Sequence, residues 1–417
     1  MFRMLLGSSC VSDGMSSFRE QRAPDIKRPL IFLGAAVLFV AVPQQASANA
    51  GTPLMWAGMV HLVVGNALIG LLEGFLLGWL FRLPRAKAIG AMIAANYLSA
   101  WLGGLFIRGA IVRTLPLNLT NGWQWFWVLV VLTYVLTLVL EWPFLAWGFR
   151  GDKHWMKRSL RASLVVQSVS YILLFGWYWT ASGTSLYTKM HIVAPKDLSL
   201  PESVLVYFIA PTNGHVYRRN LTVGDEQRVY DLHSTNENDR LFIRPNAAEI
   251  NRWDLMARLE TADLRTPRLV PILTNLQVEA PLDLWSSHTD PPSIEGTWFN
   301  FGRVQALGSA TNSQWEFWAG FWPMEGLGAS QKATGKRLGF SYETPFGAWS
   351  VRNAVHLPTD KVLFQLGDDQ ICGFDPAQRR VALLWHGRGP VAVIETAVSN
   401  PQVEGNEPAG ITLRSKH

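Results

Sequence analysis

Between residues 54 and 181 the chain carries four apolar stretches, Leu54–Phe81, Ala88–Val112, Trp123–Phe149 and Leu160–Ala181. Each holds the roughly 20 residues that an α-helix needs to cross hydrocarbon. Lipid offers no partner to a backbone N–H or C=O, so a spanning segment must satisfy its own, and a helix does so. The pattern predicts a membrane α-helical bundle of four transmembrane helices. Charged residues make up only 16% of the chain, against about 25% in an ordinary soluble domain.

The links between these stretches set an orientation. Arg82, Arg85 and Lys87 lie between the first and second, and Arg150, Lys153, Lys157, Arg158 and Arg161 between the third and fourth. The link between the second and third holds only Arg113, beside Arg108. Basic loops stay in the cytoplasm, which puts both ends of the bundle outside. The N-terminus agrees independently. Arg19, Arg22, Lys27 and Arg28 precede a short apolar run, Leu30–Pro43, and Ala48-Asn49-Ala50 has the small-x-small form of a signal-peptidase site. Residues 1–50 read as a signal peptide, or as an uncleaved signal anchor. Trp123, Trp125, Trp127, Trp177 and Trp179 fall at the expected outer level, and Trp142, Trp147 and Trp155 at the inner one, where indole rings are favoured.

Polar residues inside the spans occur at one depth. Glu73 precedes Arg82 by nine positions, Asn96 follows Lys87 by nine, Glu141 precedes Arg150 by nine, and Gln167 follows Arg158 by nine. Each lies roughly 13 Å from its basic flank at the helical rise. Asn66 shares a face with Glu73, and Ser99 shares one with Asn96. An intramembrane carboxylate is costly and marks a site by default. The expected site is therefore Glu73, Asn96, Glu141, Gln167, Asn66 and Ser99, pointing inward among glycines that let helices approach. It suits a proton, a small cation or a polar molecule; the bland alternative is hydrogen-bonded glue between helices. His61 has no second His at metal-ligand spacing and reads as an interfacial residue.

After Ala181 the pattern changes. Residues 183–417 carry short apolar runs with a period near two, broken by turn residues. Val206–Leu221, Leu241–Leu255 and Val362–Pro376 each read as strand, turn, strand, and the first two start 35 residues apart. This predicts a mostly-β extracytoplasmic domain, β-propeller-like or a β-sandwich. Residues 265–355 show no clear repeat, and Ala247–Thr261 reads as a short helix. Asp360, Asp368, Asp369 and Asp375 read as solvated turns, and Cys372 as a small buried residue of a strand. The tryptophans of residues 298–349 read as core.

The formal net charge of +6 does not mean nucleic-acid binding. Residues 51–182 hold 10 basic and 3 acidic side chains, whereas residues 183–417 hold 22 and 25. No soluble face is basic enough for a nucleic acid. No nucleophile elbow, zinc-protease helix, Walker loop or dinucleotide fingerprint occurs, so no cofactor is named. The expected organisation is 1–50 targeting segment, 51–182 bundle and 183–417 outer domain, in an inner membrane with the β part in the periplasm. The expected function is non-enzymatic: the outer domain binds a small ligand or assembles with an envelope protein, in a lipid bilayer, with a second copy of the chain as a further partner. The alternative is transport of a proton or small cation through the carboxylate layer. A membrane enzyme using the two carboxylates ranks third.

Overall fold

A computed structural model describes residues 53–106, 114–182, 185–222, 224–261, 267–282, 305–306, 313–319 and 326–395. The expected signal peptide, Arg108, Arg113, Trp298 and Trp322 lie outside these residues. Helix α1 (Pro53–Val60) runs through a π-helical turn, His61–Gly65, into α2 (Asn66–Leu80). Helices α3 (Arg85–Phe106), α4 (Gly122–Gly148) and α5 (Trp155–Ala181) follow. Among the described residues, three helices are long and apolar enough to cross a membrane: Ala57–Leu80, Gly122–Gly148 and Trp155–Ala181. The remaining expected span, Ala88–Val112, is helical to Phe106, and its last residues lie outside the described ones.

The bundle is held by small residues and by its basic loops. A Cβ on Gly74 would lie 2.5 Å from Ile89 Cα, and one on Gly70 2.6 Å from Ile93 Cα. The α2 and α3 backbones therefore touch, which only glycine allows. Leu77, Met92, Leu145, Phe149, Ala162 and Val166 fill the space between the four long helices. At the end of α2 the chain turns through Arg82 at φ 58° into Pro84, which cannot continue a helix from its N–H. Arg158 of α5 donates to the Phe81 carbonyl at 3.0 Å and so satisfies an orphan of that helix end. Lys87 lies 4.2 Å over the Trp147 ring. The two basic loops thus meet at one end of the bundle.

The other end carries the β region. Leu119, from the link between α3 and α4, is fully buried in a cluster with Leu186, Phe317, Phe364 and Phe374. Its N–H donates to Gln370 Oε1 at 2.6 Å. Phe126 of α4 packs on Phe346, and Ser185 bridges to Ser341.

Four sheets of mainly antiparallel strands make up most of that region. The first places Val204–Ile209 between Val216–Asn220 and the C-terminal strand Arg388–Glu395, with Glu226–Tyr230 and Val278–Pro281 at its edges. The second is Arg240–Pro245, Trp253–Leu259 and Arg268–Leu276. The third runs Gln305–Ala306, Trp315–Ala319, Leu327–Gln331 and Arg337–Phe340. The fourth runs Val351–Leu357, Lys361–Leu366, Gln370–Asp375 and Arg380–His386, with His191–Ile192 joining in parallel. A small hairpin, Tyr342–Thr344 with Gly347–Trp349, precedes the fourth.

The sheets pack face on face. Strand Lys361–Leu366 shows how, because successive side chains point to opposite faces. Val362, Phe364 and Leu366 meet the third sheet's Trp315, Phe317 and Phe340, while Leu363 meets Val204, Val206 and Phe208 of the first. The first sheet's other face, with Tyr207, Ile209 and Val391, packs on Leu241, Ile243, Leu255 and Ile272 of the second. Central strands such as Val204–Ile209, Trp253–Leu259, Lys361–Leu366 and Gln370–Asp375 are therefore covered on both faces. This is why their apolar runs read as nearly continuous.

Two expectations from the sequence are corrected. The segment 247–261 is not a helix: Trp253–Leu259 is a strand paired on both sides, with all but its first residue buried. Pairing with two distant neighbours overrides a helix-compatible local spacing. The acidic turns are not all solvated either. Asp375 is buried and accepts from Lys361, and Asp360 accepts from Ser313 Oγ and from the Gln314 N–H at 2.8 Å. Cys372 is a free, fully buried thiol in a strand.

Candidate functional site

The polar residues expected inside the spans are brought together. Glu73 on α2, Asn96 and Ser99 on α3, Glu141 on α4 and Gln167 on α5 are all buried. Asn96 Nδ2 donates to Glu73 Oε2 at 2.5 Å and to its own helix's Met92 carbonyl at 2.9 Å. Ser99 Oγ donates to Glu141 Oε1 at 2.5 Å, and Gln167 Nε2 donates to Glu141 Oε2. Four helices are thereby linked in two adjoining sets.

The two carboxylates are held differently. Both oxygens of Glu141 accept hydrogen bonds, from two different helices. Glu73 accepts through Oε2, while its buried Oε1 has no hydrogen-bond partner. Asn66 is buried as expected, but it bonds within its own helix, to the Leu62 carbonyl at 3.3 Å. It is not hydrogen-bonded to the carboxylates. His61 is half-buried and meets Tyr178 Oη at 2.8 Å. It serves as a contact between α5 and the π-helical turn.

Reading the sequence missed the rest of the polar face on α5. Ser159, Ser163 and Ser170 are buried beside Gln167. Their positions, four, four and then three apart, repeat at the helical period and were legible as one face. Trp142 Nε1 donates to Ser159 Oγ at 3.1 Å.

A second polar cluster went unread. It lies where strand ends of the first, second and fourth sheets converge. Glu237, Asn238, Asp239, Arg240, Arg352, Asn353 and Gln365 line a cleft there. Arg240 donates to Asn353 Oδ1 at 3.1 Å, Asn353 Nδ2 to Gln365 Oε1 at 3.0 Å, and the Gly389 N–H to the same Gln365 oxygen at 2.8 Å. Arg352 donates to Asn238 Oδ1 at 3.3 Å. Gly389 has φ 54°, and a Cβ on it would lie 2.5 Å from Arg240 Cα, so the first and second sheets meet there backbone to backbone. Asn353 stands at positive φ, 48°, where a bulge shifts the pairing of Val351–Leu357 with Lys361–Leu366; asparagine adopts this conformation more readily than most residues. Burial lowers the Arg388 pKa against the opposing pull of Asp239, Asp369 and Glu237.

Among the described residues, no group of three His, Cys, Asp or Glu is gathered as for a metal ion. Comparison with protein-family models and with curated proteins finds no match.

Proposed function

We propose that this chain is a multi-pass inner-membrane protein whose β-rich part is a periplasmic binding domain without catalytic chemistry. Four spans, a signal peptide at residues 1–50 and an outside C-terminal part make one consistent topology. The basic loops gather at the end of the bundle away from the β region, as the positive-inside rule requires. The β part is β-propeller-like or a β-sandwich of stacked sheets. Its support is the order of packing of the sheets and the pairing of Arg388–Glu395 with Val204–Ile209, which draws the C-terminal strand into the first sheet. Strand closure of this kind protects sheet edges.

The observation that carries the binding reading is the polar cleft at the converging strand ends. It is lined entirely by charged and amide side chains. Such a centre recognises a polar ligand through placed hydrogen bonds. The test is a photo-crosslinking residue at the exposed position Glu237, with a control at the exposed position Glu226 on a sheet edge. A discrete envelope adduct from 237 that disappears with Arg352→Ala supports the reading. Adducts from 226 alone, or adducts insensitive to Arg352, defeat it. A dimer adduct would make the partner a second copy of the chain.

The carboxylate layer favours a second reading, transport of a proton or small cation. Its support is the burial of Glu73 and Glu141 within one hydrogen-bonded layer that spans four helices, with one carboxylate oxygen unpartnered. Loss of ion flux in proteoliposomes with Glu73→Gln, with folding intact, supports transport. Unchanged flux refutes it.

A further inference from the structure

The two carboxylates of the polar layer are provided for unequally, and the directions of their hydrogen bonds show what each can hold. Glu141 accepts at both oxygens, from Ser99 Oγ and from Gln167 Nε2. That surrounding suits a charged carboxylate, which has only lone pairs to offer. Glu73 is fully buried and accepts from one donor, Asn96 Nδ2, at 2.5 Å. Its Oε1 is buried and receives no hydrogen bond. Ser170 of α5 stands beside Glu73, but its hydroxyl donates within its own helix, to the Gln167 carbonyl at 3.1 Å or the Val166 carbonyl at 3.3 Å. Ser170 therefore turns lone pairs toward Glu73. An ionised oxygen left without a donor in an apolar interior is costly, whereas an O–H in that place finds an acceptor.

The same directions separate a proton from a metal ion. A hard cation needs several oxygens turned toward it. Asn96 and Gln167 instead turn their amide nitrogens to the carboxylates. The orientation of Asn96 is fixed by its second bond, from the same nitrogen to the Met92 carbonyl at 2.9 Å. Amide hydrogens aimed at the layer oppose a metal ion. A proton needs only one oxygen with a free lone pair, and Glu73 Oε1 is that oxygen.

We propose that the layer is a proton-binding site: Glu73 holds the proton on Oε1 and donates it in a hydrogen bond to Ser170 Oγ, while Glu141 carries the charge. This names the ligand of the transport reading above, and it rests on that reading for the proton's passage. One neutral acid beside one well-solvated carboxylate also halves the charge that the bundle must keep in hydrocarbon.

The test is infrared spectroscopy of the full-length protein in lipid at neutral pH, which separates the C=O stretch of an undissociated acid from the stretches of a carboxylate. The expected result is an acid band that shifts on deuteration, persists in Glu141→Gln and is lost in Glu73→Gln. Sodium, potassium or calcium chloride should leave it in place. A native spectrum identical to that of Glu73→Gln, a band lost with Glu141 instead, or displacement of the band by any of the three cations would each overturn the proposal. Dicyclohexylcarbodiimide reads the native chain without a variant, because it reacts with undissociated acids in apolar surroundings. Peptide mapping should place its adduct on Glu73, and an adduct on Glu141 alone counts against the assignment. A proton gradient across proteoliposomes separates the two levels of inference. A protein that shows the Glu73 band and passes no protons refutes transport and leaves the proton site standing, whereas proton passage with Glu73 ionised throughout refutes the site alone.

Discussion

The bundle and the β region are built inside out relative to one another. In the bundle, Val63, Val131, Val139 and Ile172 face outward at 61–71% exposure, while Glu73 and Glu141 are fully buried. In the β region the fully buried side chains include Phe208, Phe242, Phe317, Phe340, Phe364 and Phe374. Charged residues such as Asp225, Glu226 and Arg228 are exposed there. The difference is the one expected if hydrocarbon surrounds the bundle and water the β region. Water drives phenylalanine inward in the β region. In the bundle an outward valine has no reason to leave hydrocarbon, and packing and hydrogen bonds must hold the helices instead.

The largest expected effect is all or none, and it tests whether the β region and the basic loops face opposite sides of one membrane. In a Cys10→Ser background, Asp225→Cys should react with an impermeant maleimide in intact cells, and Lys153→Cys only after the membrane is opened. The native Cys372 stays silent, because burial raises its thiol pKa and closes access. The reverse labelling pattern would invert the topology.

A smaller effect measures the driving forces themselves. Phe364→Ala should cost the β region about 3–5 kcal/mol and lower its thermal unfolding temperature, while the bundle's helical signal persists. Leu77→Ala, an equally buried site between α2, α3 and α4, should cost about half as much in detergent or lipid. The cavity penalty remains there, but the transfer term vanishes against a lipid tail. Equal costs at the two sites would show that the bundle too is organised by water.

Legibility in the sequence followed the same division. That Asn96 could meet Glu73, and Gln167 Glu141, followed from counting residues from their basic flanks, because a helix converts residue number directly into distance. Their partners are also near neighbours on adjoining helices. In the β region only local features were readable. The turn at Gly367-Asp368-Asp369 marks the hairpin of Lys361–Leu366 and Gln370–Asp375. Nothing local announces that Arg388–Glu395 returns to Val204–Ile209. Nor does spacing reveal that Arg240 meets Asn353. The segment 247–261 misled for the same reason: its apolar spacing suits a helix, and only its non-local neighbours make it a strand.

The polar layer supplies the next test of what holds the bundle. Interhelical hydrogen bonds in membranes average about 0.6 kcal/mol and reach about 1.7. Glu141→Ala orphans donors on both α3 and α5, whereas Glu73→Ala orphans one on α3. Glu141→Ala should therefore lower the midpoint of unfolding in a denaturing detergent by the larger amount. The opposite order would mean that the bond count does not govern the layer.

The smallest effect is a pH dependence confined to the β region. Burial works against the charge of Asp360, but hydrogen bonds from Ser313, the Gln314 N–H and His356 outweigh it and hold its pKa below the ordinary value. A carboxylate with a depressed folded pKa contributes stability that is fully present above its unfolded value, about 3.9, and is lost as pH falls through the folded one. The pairing ties the start of strand Trp315–Ala319 to the turn before Lys361–Leu366. Acidification below about pH 4 should therefore loosen the contact between the third and fourth sheets, and Asp360→Asn should remove that step while lowering stability at neutral pH. Proton exchange at the Gln314 amide, followed against pH in both forms, reads the contact directly. Protection of the Gln314 amide, relative to a free amide at the same pH, that stays flat down to pH 2 would show that the sheets are held by the apolar cluster of Trp315, Phe317 and Phe364 without help from this carboxylate.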